Sequence, residues 1–101
     1  MTPQQIEVHP EAFAEADAAV LWYAERSRHA AEEFLVELDN AIQSILEAPQ
    51  RWPMFEEPFR RFPLIHFPYF VIYRETATNR IQILAVMHAR RRPGYWKKRS
   101  T

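Results

Sequence analysis

The apolar positions change rhythm along this chain. Gln5-Ile6-Glu7-Val8 alternates polar and apolar, the two-residue period of a strand. From Glu11 the period lengthens to that of a helix. Phe13, Ala16, Val20 and Tyr23 form one stripe, and Ala31, Phe34, Leu38, Ala41, Ile42 and Ile45 a second. Pro10 suits a first helical turn, where its missing N–H costs nothing, and Glu11, Glu15 and Asp17 place negative charge near that N-terminus. Pro49 ends the second stripe. The stripes stay in phase through Ser27, but a single rod over 11–47 would be about 55 Å long from the rise per residue. A compact chain of this length has a radius of gyration of about 13 Å, so the rod must fold back. Arg26-Ser27-Arg28-His29 is the weak stretch, and Ser27 can cap a new helix. The spacing predicts an antiparallel helical hairpin over 10–26 and 28–48.

Beyond Pro49 the residues turn aromatic and β-branched. Arg60–His66, Pro68–Glu75 and Arg80–Ala89 read as strands, with Thr76-Ala77-Thr78-Asn79 turning between the last two. Tyr69, Val71 and Tyr73 point one way, Phe70 and Ile72 the other. In the last strand Ile81, Ile83, Ala85 and Met87 oppose Leu84 and Val86. Strands apolar on both sides need both faces covered. The hairpin covers one, and the C-terminal tail or a partner covers the other. Pro63 and Pro68 restrict ladder pairing and place the first of these strands at an edge or a bulge. The fold class is α+β, a helical hairpin on a small, mostly antiparallel sheet with the N-terminal strand added, forming one domain over residues 1–101.

Composition narrows the chemistry. The chain has 101 residues and no cysteine, which excludes a disulfide scaffold, a thiol nucleophile and thiolate metal sites. No apolar run approaches the ~18 residues a membrane helix requires, and a soluble, cytoplasmic protein is expected. The zero net charge conceals a division. Residues 1–57 hold 12 of the 13 acids and three bases, a net −9, and residues 58–101 hold one acid and ten bases, a net +9. Such a split suits a basic surface for nucleic acid or an acidic partner, or two halves that attract each other.

The tail concentrates the candidate chemistry. His88-Ala89-Arg90-Arg91-Arg92-Pro93-Gly94-Tyr95-Trp96-Lys97-Lys98-Arg99 pairs bases for phosphate with aromatics that stack on nucleobases or pack on the sheet. His9, His29, His66 and His88 lack ligand spacing, so neither a metal nor a cofactor is expected. Glu32, Glu33, Glu37 and Asp39 read as a solvated helix face, and Glu56 and Glu57 carry no evident role.

The combination of Trp22-Tyr23, Ala31…Phe34 into Ala41-Ile42, Pro49…Pro53, Arg61-Phe62-Pro63, Phe67-Pro68-Tyr69 with Val71-Ile72-Tyr73, and His88-x-Arg90-Arg91…Tyr95-Trp96…Arg99 resembles the RelE/ParE superfamily of bacterial toxins. It looks most like the ParE-like branch, often labelled plasmid stabilisation. The resemblance implies a type II toxin neutralised by an antitoxin with an acidic, helical C-terminal segment, in a hetero-oligomer. It also implies one of two targets. ParE-like members bind and poison DNA gyrase, whereas RelE-like members cut mRNA on the ribosome. For an RNA cut by 2′-OH attack, the residues nearest the required base, acid and phosphate-binding roles are His88, Arg61, Arg90, Arg91 and Tyr95. Phe70 stands where RelE-like enzymes carry an arginine, and Pro63-Leu64-Ile65 where lysines are expected. A face that is apolar where it should be cationic favours the gyrase-binding reading. There the interface is expected to use Arg60, Arg61, Arg90, Arg91, Arg92, Tyr95, Trp96 and Arg99.

Overall fold

In the computed structural model of the chain, residues 5–77 and 80–100 are described. A β-strand, β1 (Gln5–Val8), leads into two helices, α1 (Pro10–Ala24) and α2 (Arg28–Glu47). Strands β2 (Met54–Glu56), β3 (Phe59–Pro63), β4 (Tyr69–Ala77) and β5 (Arg80–His88) follow, then a short 3-10 turn over Lys97–Ser100. The hairpin breaks where expected. Tyr23 ends α1 by accepting from the backbone N–H groups of Arg26 and Ser27, and the Ser27 hydroxyl caps α2 by accepting from the Ala30 N–H at 3.1 Å.

The five strands lie in the order β1-β5-β4-β3-β2. β1 runs parallel to β5, and every other pair is antiparallel. The expected Arg60–His66 strand is therefore interior, between β4 and a short edge strand, β2, that its three residues did not announce. The irregularity expected there falls in the β2–β3 ladder, between Met54 and Glu56. β4 continues through Thr76 and Ala77, and Thr78 and Asn79 of the expected turn lie outside the described residues.

One face of the sheet carries the hairpin. Ala12 and Ala19 of α1 and Phe34, Leu38, Ala41 and Ile45 of α2 pack with Val71, Tyr73, Ile81, Ile83 and Val86. Each such aliphatic or aromatic burial contributes about 1.5–3 kcal/mol. Ala16, Val20 and Tyr23 of the α1 stripe pack against this core as expected, but Phe13 is 58% exposed, and Ala12 and Ala19 take the innermost positions beside β5. Tyr73 donates from its hydroxyl to the Pro49 carbonyl at 2.6 Å, tying the exit of α2 to the sheet. Burial raises its phenol pKa to about 12.

The opposite face is covered as well. Trp96 is fully buried there among Phe59, Ile72, Leu84, Ala85 and Met87, with Phe55, Phe70 and Tyr95 around them. The tail, not a partner, closes this core, so no bare sheet face awaits an antitoxin. The expectation that Ala85 and Met87 would share a face with Ile81 and Ile83, and Val86 with Leu84, also fails. The register slips between Ile72 opposite Ala85 and Tyr73 opposite Ile83, so Leu84 and Ala85 both join the tail-side core and Val86 returns to the hairpin side. A β-bulge changes which residues face which core by one position.

Candidate functional site

The tail is anchored at an incomplete sheet edge. β1 pairs with β5 only as far as Val8 opposite Ile83, and the His9 N–H closes that stretch on the Ile83 carbonyl at 2.9 Å. Beyond it no strand pairs with the outer edge of β5 among the described residues, and unpaired backbone groups there cost free energy. Side chains take the strand's place. The Val86 N–H donates to the Glu15 carboxylate at 3.0 Å, and the Arg99 guanidinium donates to the Leu84 carbonyl at 2.9 Å.

Glu15 then gathers the tail. Its side chain is 12% exposed, and besides Val86 it accepts from Arg91 Nη1 at 3.0 Å, the Tyr95 hydroxyl at 2.7 Å and Arg99 Nη1 and Nη2 at 3.1 and 3.2 Å. The Arg91 guanidinium stacks 3.7 Å from the Tyr95 ring centroid, and Arg99 approaches the same ring at 4.9 Å. Arg99 is 7% exposed at its side chain and also pairs with Glu11 at 3.1 Å. Burial works against its charge, but Glu15, Tyr95 and Glu11 together outweigh that and lift its pKa above the usual value. Burial, then the hydrogen bond to Glu15 and its charge, push the Tyr95 phenol well above its ordinary value. Tyr95 is thus a fixed hydrogen-bond donor with its proton held.

Three of the expected residues, Arg91, Tyr95 and Arg99, therefore meet on a carboxylate that sequence reasoning treated only as a helix N-terminal charge. The available signal was position. Glu15 lies three residues after Ala12 and four before Ala19, on the inward face of α1.

The other expected residues lie elsewhere. His88 pairs across from Tyr69, with the rings 5.0 Å apart, on the hairpin side of the sheet. Its Nδ1 accepts from the Arg90 N–H at 3.0 Å. It lines a groove of about 430 Å³ with Trp22, Tyr23, Tyr69 and Arg91. Arg61 pairs across from Ile72, on the tail side, with its guanidinium carbon 4.6 and 4.8 Å from the Phe55 and Phe70 ring centroids. Arg60 is held by the Trp52 carbonyl at 2.7 Å and the Gln50 carbonyl at 3.3 Å, a loop brace. Arg90 and Arg92 are exposed. Trp96, expected at the interface, is a core residue with no surface to offer. The sheet separates His88 from Arg61, so the five residues suggested for RNA cleavage do not converge on one face. Among the described residues no group of three or more His, Asp and Glu side chains is placed to hold a metal ion.

Two acids leave the roles expected of them. Glu56 pairs with Lys97 at 2.6 Å, pinning the 3-10 turn to β2. Glu37 does not point into solvent; it accepts from the N–H groups of Ile65 and His66 and lies 2.7 Å from His66 Nδ1.

A sequence profile for the family described as "ParE toxin of type II toxin-antitoxin system, parDE" matches residues 6–93. A solved structure described as "Chromosomal ParDE TA system from P. aeruginosa" has a similar fold, with a TM-score of 0.73 at 17% identity. The likeness covers 84% of this chain and 95% of that one. No curated protein matches the chain closely enough to count as a relative.

Proposed function

The chain belongs to the ParE toxin family of type II toxin–antitoxin systems, and we propose that it inhibits growth by binding DNA gyrase in the cytoplasm rather than by cutting RNA. The observation that carries this reading is the dispersal of the RNA-cleavage candidates. His88 and Arg61 lie on opposite faces of the sheet, and the Tyr95 hydroxyl keeps its proton and donates it in a hydrogen bond to Glu15. A cleavage site needs its base, its acid and its cations around one phosphate. A binding surface has no such requirement, because a few anchors spread over an area suffice. Arg91 stacked on Tyr95, the exposed Arg90 and Arg92, and Arg61 between its two phenylalanines would supply those anchors.

The same family membership supports an antitoxin partner in a hetero-oligomer. With the tail-side core already closed, an acidic segment would find its cations around the groove that Trp22, Tyr69, His88 and Arg91 line, not on a bare sheet. Its association rate should fall as salt rises, since steering by exposed arginines is screened.

The test is DNA supercoiling by gyrase with the purified chain added, alongside mRNA cleavage on translating ribosomes. Inhibited supercoiling that persists in His88→Ala is expected. Cleavage of A-site mRNA that is lost in His88→Ala, with supercoiling untouched, would replace this reading with the nuclease.

A further inference from the structure

A second groove lies on the other flank of the hairpin, between α2 and the loop joining β3 to β4, and carboxylates predominate among its charged lining residues. Its volume is about 600 Å³. Its apolar lining comes from Val36, Phe62 and Ile65, and its rim carries Glu32, Glu33 and Glu37. Among the described residues no lysine or arginine lines it. The hairpin as a whole, residues 10–47, holds nine acids and two bases. Glu37 is committed to the loop beyond β3, while the two outer carboxylates, Glu32 and Glu33, have weaker local partners. Arg28 and Glu32 form a surface pair at 3.3 Å with both side chains mostly exposed, worth little in water. Glu33 and Glu37 are paired with His29 and His66, which carry full charge only when protonated.

The apolar part of this groove is built and held. Ile65 is 84% exposed and Val36 61%. Ile65 does not project by default of order. The N–H groups of Ile65 and His66 both donate to Glu37, whose side chain is only 17% exposed, and the Leu64 N–H closes the loop on the Tyr69 carbonyl at 2.9 Å. A rigid aliphatic anchor beside a groove, ringed by carboxylates, resembles the anatomy of a binding hot spot more than that of a solvated loop.

We propose that this groove is a docking site for a basic, aliphatic-anchored segment of a partner protein, lysine- or arginine-rich around a leucine or isoleucine. Charge complementarity selects that occupant. An acidic segment would face the exposed Glu32 and Glu33 with no fixed cation among the lining residues, whereas a basic one pairs with them as its apolar residue covers Ile65 and Val36. The site lies apart from Glu15, Arg91 and Tyr95, so it stands independently of how the toxin acts on its target.

The test is selection of peptides from an unbiased displayed library on the purified full chain, followed by titration of the enriched peptides. The pool should be enriched in lysine or arginine flanking an aliphatic residue. Ile65→Ser and Glu33→Lys should each weaken binding by about tenfold or more. Because both side chains are substantially exposed, thermal melting of these variants should stay at the parent value. Leu21→Ser, on an exposed part of α1, should leave affinity unchanged. An acidic pool, no enrichment, or a basic pool indifferent to Ile65→Ser and Glu33→Lys would overturn the proposal. So would concentration-dependent self-association abolished by Ile65→Ser, which would assign the surface to a second copy of the chain.

Discussion

Glu15 shows how one side chain can decide where a tail goes. Its carboxylate satisfies an edge N–H of β5, one phenol and two guanidinium groups; of those partners the Arg99 side chain is largely buried and Tyr95 half-buried. Removing one member of a buried ion pair leaves an uncompensated charge, at a cost of about 3–5 kcal/mol. Glu15→Ala should lose stability on that scale, chiefly through Arg99, since the half-exposed Arg91 is screened by water. Urea denaturation measures it, and a loss no larger than that of Asp17→Ala would contradict the assignment. Glu37 gives a pH signature. Burial raises its pKa, but the hydrogen bonds from His66 and Ile65 outweigh this and leave it lowered. A carboxylate with a depressed folded-state pKa contributes stability above its unfolded value and loses it as pH falls through the folded one. Protection of the Ile65 and His66 amides from hydrogen exchange should therefore hold at neutral pH and decline in acid. In Glu37→Gln that decline should flatten; an equal decline in both proteins would remove the clasp from the account. Neither acid was legible as a structural residue. Both sit in helices rich in solvated acids, where composition masks the few that turn inward.

At the scale of elements the sequence was most legible where one face is apolar and the other polar. The α2 stripe and Ser27 specify the second helix almost to its ends, and Leu38 lies where the spacing puts it, in the hairpin-side core. Leu38→Ala should cost about 2–5 kcal/mol, seen as a lowered thermal midpoint. Legibility failed where polarity ceased to alternate. β5 is buried continuously from Ile81 to Met87, so nothing in its pattern marks the bulge that turns Ala85 away from the hairpin. β2 is three residues long and owes its place to β3 and the tail, contacts far apart in the chain. The tail's dual character was open in the sequence, and the second core resolves it in favour of packing for Trp96. Truncation after Pro93 should thus destabilise the fold at least as much as the ~3–5 kcal/mol of a core Trp→Ala change. Retention of the parent melting temperature by that truncation would show that the tail closes nothing.

Across the whole molecule, the division of charge turns out to be partly internal. Arg91, Lys97 and Arg99, all from the basic half, form ion pairs with Glu15, Glu56 and Glu11 of the acidic half. What remains is a molecule with two unlike flanks: an aromatic groove beside His88 where Arg91 and Glu15 pair, and an acidic, aliphatic groove beside Ile65. That polarity suits a protein that meets more than one macromolecule. The claim that matters most is that its toxic act is binding to gyrase rather than cutting RNA. The most direct measurement is the yield of covalent gyrase–DNA cleavage complexes as purified chain is titrated into gyrase and supercoiled plasmid. The account predicts a rise with dose that Arg91→Glu diminishes and His88→Ala leaves intact. No rise at any dose, with mRNA cut in the ribosomal A site by the same preparation, would contradict it.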